Sequence, residues 1–426
     1  MSRSGRGCER VTPSAVASPD WQRIRSDFPV LRREIDGRPI VYLDSANTSQ
    51  KPESVIDAMA SFMREGYAPI NRSAYRLAAA ATDAYEGARS KVARFINAAR
   101  PEEVVFTRNA TEALNMVAQS WGRKNLRPGD AVVLSHMEHH ANIVPWQMLV
   151  DQIGIELRFI PLTDDGLLDL DGLSALLDGA RVLSVTAMSN VLGTINPVER
   201  LVAAGRAADC MVMIDACQSV PHGITDVQAW GADFVAFSGH KMLGPSGIGV
   251  LWGSSEQLEL LPPFLGGGNM IDDVRLDGFT CAPVPAKFEA GTPAIVEAVG
   301  LGAAVDYLES VGMANIRRHE MDLTRYAIDS LRARYGDDVV IHGTDNVELR
   351  GGVLSIAFRD IHPHDLSQVL DESNVCVRAG HHCAKPLMRL LGANATVRAS
   401  LYLYNDRSDV DALVEGLDGA SDIFGL

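Results

Sequence analysis

Between residues 104 and 252, short apolar runs alternate with stretches of helical periodicity, which limits the chain to a narrow set of folds. Val104-Val105-Phe106, Ala131 to Leu134, Leu157 to Ile160, Val182 to Val185, Met211 to Ile214 and Phe234 to Phe237 read as strands. Thr111 to Gly122 and Asn142 to Gln152 read as helices. Strands this apolar need cover on both faces, and the strand–helix–strand order predicts a mostly parallel sheet with helices on either side. Gly247 to Trp252 adds a further strand, a candidate for antiparallel pairing.

Outside this block, a short helix runs from Asp20 to Phe28 and is stopped by Pro29. Ile40 to Leu43 is a strand, and Thr82 to Ile96 a long helix. The pattern changes near residue 300: helices Ala294–Ser310 and Ile316–Tyr335 lead to separated strands at Gly352–Phe358, Val375–Arg378 and Val397–Tyr404, then a terminal helix from about Asp406. The expected organisation is a disordered lead-in over 1–20, a segment 21–38 packing with the small domain, a large domain over 39–300 that carries the site, and a small α+β domain over 301–426.

A net charge of −15 argues against a general nucleic-acid or anionic-membrane surface. No run of about 18 apolar residues exists to span a bilayer. The six cysteines include no Cys-x-x-Cys pair, so neither a disulfide framework nor a structural zinc site is expected, and reduced thiols in the cytoplasm fit best.

In an open parallel sheet, chemistry gathers outside the carboxyl ends of the strands. Lys241, one of only six lysines, follows the Phe234 strand; Asp215 ends the Met211 strand, with Gln218 three residues on. A lysine able to form a Schiff base, with a carboxylate on the neighbouring strand end, is what pyridoxal phosphate asks of a protein. A surface lysine and a capping aspartate would leave the same letters. His139 follows the Ala131 strand and Asn190 the Val182 strand, so four polar side chains converge on one rim. His139 could stack on a flat cofactor or shuttle protons, or precede a helix capped by Asn142. The turn Thr107 to Ala113 offers Ala110 and Thr111 as a phosphate cradle, unless Thr111 and Glu112 only cap the helix. Gly266-Gly267-Gly268 lacks the context of a dinucleotide loop. Arg378-Ala379-Gly380-His381-His382-Cys383 ends a strand, and Arg398 lies in the last one. Cys383 could have its thiolate favoured by Arg378, His381 and His382, or be a buried structural cysteine; three consecutive residues do not suit a metal.

Met137-Glu138-His139-His140-Ala141-Asn142, Phe237-Ser238-Gly239-His240-Lys241, Arg378 to Ala384 and Thr396-Val397-Arg398-Ala399-Ser400 together resemble the SUF-type (group II) cysteine desulfurases, class V aminotransferase-like pyridoxal phosphate enzymes, from about Asp27 to the C-terminus. The resemblance implies fold type I and a homodimer. Lys241 would bind pyridoxal 5'-phosphate, Asp215 would pair with its pyridine nitrogen, Gln218 would contact the ring oxygen, and His139 would stack on the ring. Ala110, Thr111, Ser238 and His240 would hold the phosphate, joined across the dimer by Thr292. Arg398 and Asn190, with Arg378 next in line, would hold the carboxylate of L-cysteine, and Cys383 would accept its sulfur. The implied partner is a sulfur-acceptor protein of the SUF system, for iron–sulfur cluster assembly. Selenocysteine lyase activity or a thio-metabolite role are the alternatives within the class; a nicotinamide enzyme or a sulfur-storing scaffold are those outside it. Asn47 after Ala46, and Asn71 before Arg72, depart from the family's pattern near the substrate entrance.

Overall fold

The computed structural model describes residues 19–71 and 74–425; most of the expected lead-in, and Arg72, lie outside them. Seven strands form the central sheet: β1 Val104–Thr107, β2 Ala131–Ser135, β3 Glu156–Ile160, β4 Ala180–Thr186, β5 Met211–Asp215, β6 Phe234–Ser238 and β7 Gly249–Gly253, in the order β1-β7-β6-β5-β4-β2-β3. Only β7 runs against its neighbours, pairing antiparallel with both β1 and β6. The other six therefore end at one rim.

Alternation along the strands builds two cores. Val104, Phe106, Ala131, Val133, Val212, Ile214, Val235 and Phe237 belong to one cluster. Their chain neighbours Val105, Val132, Leu134, Met213, Phe234 and Ala236 belong to another, on the opposite face. The first is closed by the helices Arg76–Phe95 and Ile295–Val311, which pack on each other. The second is closed by helices over Ala110–Met116 and Val144–Ile153.

A smaller antiparallel sheet follows: β8 Val339–His342, β9 Val353–Phe358, β10 Arg378–Gly380 and β11 Thr396–Ser400, ordered β8-β9-β11-β10. Here several expectations need correction. The strand expected over Val375–Arg378 is split: Val375–Cys376 pairs in parallel with Val41–Tyr42, and Arg378 starts β10. Val41 and Leu43 consequently lie in the third core with Leu323, Ile356 and Val397, not with the large sheet. Conversely, Leu301, Val305 and Leu308 stay with the first core, so a boundary at 300 would cut through a helix packed on the large sheet. Ile24, Phe28 and Leu31 of the N-terminal segment also sit in the first core, while Arg25 reaches across to Asp409 of the terminal helix Arg407–Phe424 at 2.7 Å. The last strand stops at Ser400; Tyr402 and Tyr404 turn into the first core, where Pro221 O and Ser45 Oγ satisfy their hydroxyls. Strand β8 and the helix Pro363–Glu372 complete the small layer without having been expected.

Candidate active site

A cavity of about 210 Å³ opens at the strand-end rim, and Lys241, Asp215, Gln218, His139, Asn190 and Cys383 all line it. Ala110, Thr111, Ser238, His240 and Arg378 complete its wall, so of the expected site residues only Arg398 and Thr292 do not face it.

Asp215 is the last residue of β5 and is almost wholly buried, its Oδ1 accepting from Cys217 N at 3.0 Å. Lys241 closes a single 3-10 turn, Gly239–Lys241, after β6. That turn is tied down at the His240 carbonyl, which accepts from Ser49 N (3.0 Å), Thr48 Oγ1 (3.1 Å), Ser49 Oγ (3.1 Å) and Lys51 Nζ (2.9 Å). Burial pushes Lys51 down to about 8. The imidazole of His240 falls to about 4 through burial, then the charges of Lys241 and Lys51, so it is neutral at pH 7.

His139 is likewise pushed down to about 4, by burial first and the Lys241 charge second. Its Nδ1 accepts from Ala141 N at 3.0 Å, which leaves the ring proton on Nε2. The loop that carries His139 is anchored by Glu138. This carboxylate, completely buried, accepts from Ser135 Oγ, from Asn142 Nδ2 at 2.7 Å and from Thr186 N at 3.0 Å. Asn142 is therefore not a helix cap. It is buried between Glu138 and Ser184, and the following helix begins at Val144 without a side-chain cap.

At the opposite wall, Asn109 caps the helix Ala110–Met116 by accepting from Glu112 N at 2.9 Å, and Glu112 accepts from Arg108 N. The capping role expected for Thr111 thus belongs to Asn109, and Thr111 is left facing the cavity. Ala110 N donates to Ser238 Oγ at 2.9 Å, linking the helix start to the end of β6. Gly249 allows this closeness: a Cβ there would fall 2.5 Å from Asn109 Cα.

Cys383 sits on a tight turn in which His382 (φ +53°) and Cys383 (φ +57°) both adopt the left-handed region that non-glycine residues avoid. The strain is held by contacts from two other parts of the fold: His140 N donates to Cys383 O at 2.8 Å and Asn190 Nδ2 to His382 O at 2.7 Å. Arg378 Nη2 lies 3.5 Å from Cys383 Sγ. The expected help from His382 is not there: it is buried, bonded to Thr396 Oγ1 at 2.8 Å, and pushed down to about 3 by burial and the two arginines, hence neutral. The thiol of Cys217, also in the cavity wall, is driven up by burial and by Asp215.

Arg398 is fully buried behind the wall. It donates to Asn190 O at 3.0 Å and to Asp44 Oδ1 at 3.1 Å, its Nε has no partner among the described residues, and burial lowers it to about 10. Arg378, directly opposite Arg398 in the β10–β11 register, is the arginine on the wall. Thr292 lines a separate groove beside Glu289, whose carboxylate is locked by Arg89, Tyr85 and Phe106 N.

The residues fit pyridoxal phosphate. Buried Gln218 donates to Ala46 O at 2.7 Å but its Oε1 has no partner among the described residues, as for a side chain awaiting a bound group. Around it stand a lysine amine, a carboxylate, a neutral imidazole face and a helix start. Sequence reasoning missed Asp44 and Lys51 and gave Glu138 no role; the one available signal was a lysine, among only six, immediately before Pro52.

Comparison with known proteins gives the same direction. The family model for aminotransferase class-V matches residues 41–413. A probable cysteine desulfurase of Streptomyces coelicolor is 50% identical over 412 residues, covering 95% of this chain and 98% of that protein. The crystal structure of the Escherichia coli cysteine desulfurase CsdA superposes with a TM-score of 0.88 at 39% identity, covering 96% of this chain and all of the other. An apo cysteine desulfurase from Thermococcus onnurineus superposes at 0.90 with 37% identity, covering 97% of this chain and all of that one.

Proposed function

The chain belongs to the aminotransferase class-V family, and from that premise we propose that it is a pyridoxal phosphate-dependent cysteine desulfurase whose Cys383 takes the sulfur of L-cysteine as a persulfide. The observation that carries the assignment is the meeting of Cys383, a thiol on a strained turn beside Arg378, with Lys241 and Asp215 in one cavity.

Lys241 would hold the cofactor's aldehyde, Asp215 its pyridine nitrogen, Gln218 its ring oxygen, and Ala110, Thr111, Ser238 and His240 its phosphate. When bound, pyridoxal phosphate supplies an electron sink for the pair left as the substrate Cα loses its proton. Lys241, whose amine stands in the same cavity, would be the base at that carbon. Neutral His139 can both face the ring and pass a proton from Nε2. The substrate carboxylate would be held by Arg378 on the wall and by Asn190, which Arg398 orients from behind. The Cys383 thiolate then attacks the substrate sulfur: the S–Cβ bond breaks with its electron pair going to Cβ, and a Cys383 S–S bond forms. A proton taken up at Cβ, with one returned to Cα by Lys241, lets the carbon skeleton leave as L-alanine. The persulfide's proposed destination is a sulfur-acceptor protein of the SUF system, in the service of iron–sulfur assembly. The position of Thr292, in a groove apart from its own chain's cavity, supports a homodimer in which it serves the partner's phosphate site. No helix among the described residues is long and apolar enough to cross a membrane, and the free cysteines support a cytoplasmic location.

Cys383→Ser tests this reading. Alanine and sulfide production from L-cysteine should vanish while the cofactor is retained, and the wild type treated with cysteine should carry one extra sulfur on the Cys383 peptide. Added sulfur on Cys217 or Cys376, with Cys383→Ser fully active, would overturn it.

A further inference from the structure

Asn47 is exposed at the mouth of the cavity and makes two hydrogen bonds that no other described residue duplicates. Its Nδ2 donates to Asp44 Oδ2 at 3.1 Å, and its Oδ1 accepts from Arg378 Nη1 at 3.0 Å. A carboxylate can only accept and a guanidinium can only donate, so the amide has one orientation that serves both. The other end of the guanidinium, Nη2, is the group at Cys383 Sγ. A continuous chain of contacts thus runs from the thiol through Arg378, Asn47 and Asp44 to buried Arg398.

We infer that Asn47 is a positioning residue for the nucleophile: it holds the Arg378 guanidinium in the orientation that keeps Nη2 against the Cys383 sulfur. The inference deepens the reading of Cys383 as sulfur acceptor and takes its purpose from it.

The electrostatic layout explains why this position is served by an amide. Arg378 and Arg398 face each other across adjacent strands, a like-charge pairing that repels. The carboxylate between them, Asp44, bonds Arg398 through Oδ1, so Arg378 has no ion-pair partner of its own among the described residues. A long side chain in that state would sample many rotamers in the cavity mouth. An acid at position 47 would fix it but quench the charge that favours a thiolate, and would stand beside Asp44. A neutral amide fixes the guanidinium and leaves its charge available to the sulfur.

The other groups facing the thiol do not replace Arg378. From the loop after β2, His139 and His140 are both lowered by burial. On the cysteine's own turn His382 is buried and neutral, and His381 is exposed. Lys241 stands across the cavity, Lys385 begins the next helix with an exposed side chain, and Arg398 lies behind Asn190, committed to Asp44.

The test reads thiol reactivity rather than turnover. On the purified holoenzyme, the rate of iodoacetamide alkylation at Cys383 is followed against pH by peptide mass spectrometry, for the wild type, Asn47→Ala, Asn47→Asp, Arg378→Ala and the double variant Asn47→Ala/Arg378→Ala. Asn47→Ala should slow alkylation at pH 7 by about three- to tenfold. Asn47→Asp should slow it at least as much. On the Arg378→Ala background, Asn47→Ala should add nothing. Because Asn47 is exposed, its removal leaves no buried group unpaired, and the cofactor's visible absorbance should stay as in the wild type. An Asn47→Ala profile that overlays the wild type, faster alkylation in Asn47→Asp than in Asn47→Ala, or full additivity with Arg378→Ala would overturn the inference. Failure of the sulfur-acceptor reading would show separately, as an absence of added sulfur on Cys383.

Discussion

Glu138→Gln should change how stability depends on pH, and the structure sets the size of the effect. The carboxylate is wholly buried, and burial raises it to about 7 against an ordinary value near 4.5. Between those values the folded protein holds a proton that the unfolded chain has released. Stability from this group is therefore full below pH 4.5 and is lost as pH rises through 7, by at most about 3 kcal/mol. Glutamine conserves the shape: its Oε1 can still accept from Ser135 Oγ and Thr186 N, while Asn142 turns its amide over and Ser184 Oγ accepts in exchange. The variant isolates the charge. Urea unfolding midpoints at pH 5, 6, 7 and 8 should show the wild type losing ground to Glu138→Gln as pH rises. Glu138→Ala, which strands three donors, should cost about 3 kcal/mol or more at every pH. It should also depress turnover, because the same loop carries His139 and bonds the Cys383 carbonyl through His140 N. A constant difference between wild type and Glu138→Gln from pH 5 to 8 would refute the assignment of a buried, titrating carboxylate.

Lys51 gives the opposite slope. Its buried amine is lowered from 10.5 to about 8, so the unfolded chain binds the proton more readily between those values, and wild-type stability should rise with pH relative to Lys51→Met, approaching about 1.4 kcal/mol per pH unit; parallel profiles from pH 8 to 10.5 would exclude this. Asp44→Ala should destabilise the protein by about 3 kcal/mol, read as a lowered urea midpoint, because fully buried Arg398 loses its carboxylate partner; Asp44→Asn, which keeps an acceptor, should cost less. Lys241→Ala should lose both cysteine turnover and retention of pyridoxal phosphate through gel filtration, and wild-type turnover with the cofactor retained would remove the lysine from its role.

Much of the cavity is legible in the sequence because its residues follow strand ends. Lys241, Asp215, His139 and Asn190 each follow an apolar run, and all four line one cavity. The small domain was harder to read. Strands β10 and β11 are three and five residues long, and the pairing of Val41–Tyr42 with Val375–Cys376 joins segments more than 300 residues apart, which no local period can announce. The helix Pro363–Glu372 did carry a start signal, a proline at its first position after His362.

The distinction between the two arginines shows where sequence reasoning stops. Arg378 and Arg398 both lie in strands near the candidate nucleophile, and nothing local says which one meets solvent. Burial of Arg398 behind Asn190, with Asp44 brought to it by the bridge between Asp44 and Ser400, decides that. The same holds for charge: His139, His240 and His382 are neutral and Glu138 is raised because each is taken out of water by segments distant in the chain. By itself the sequence determined the order of strands and helices and the residues at the rim, because alternation and strand ends are properties of neighbouring residues. Which side chains face the cavity, which are charged, and which arginine touches the sulfur were decided only by tertiary structure, since exposure and desolvation depend on what distant parts of the chain lay over each group.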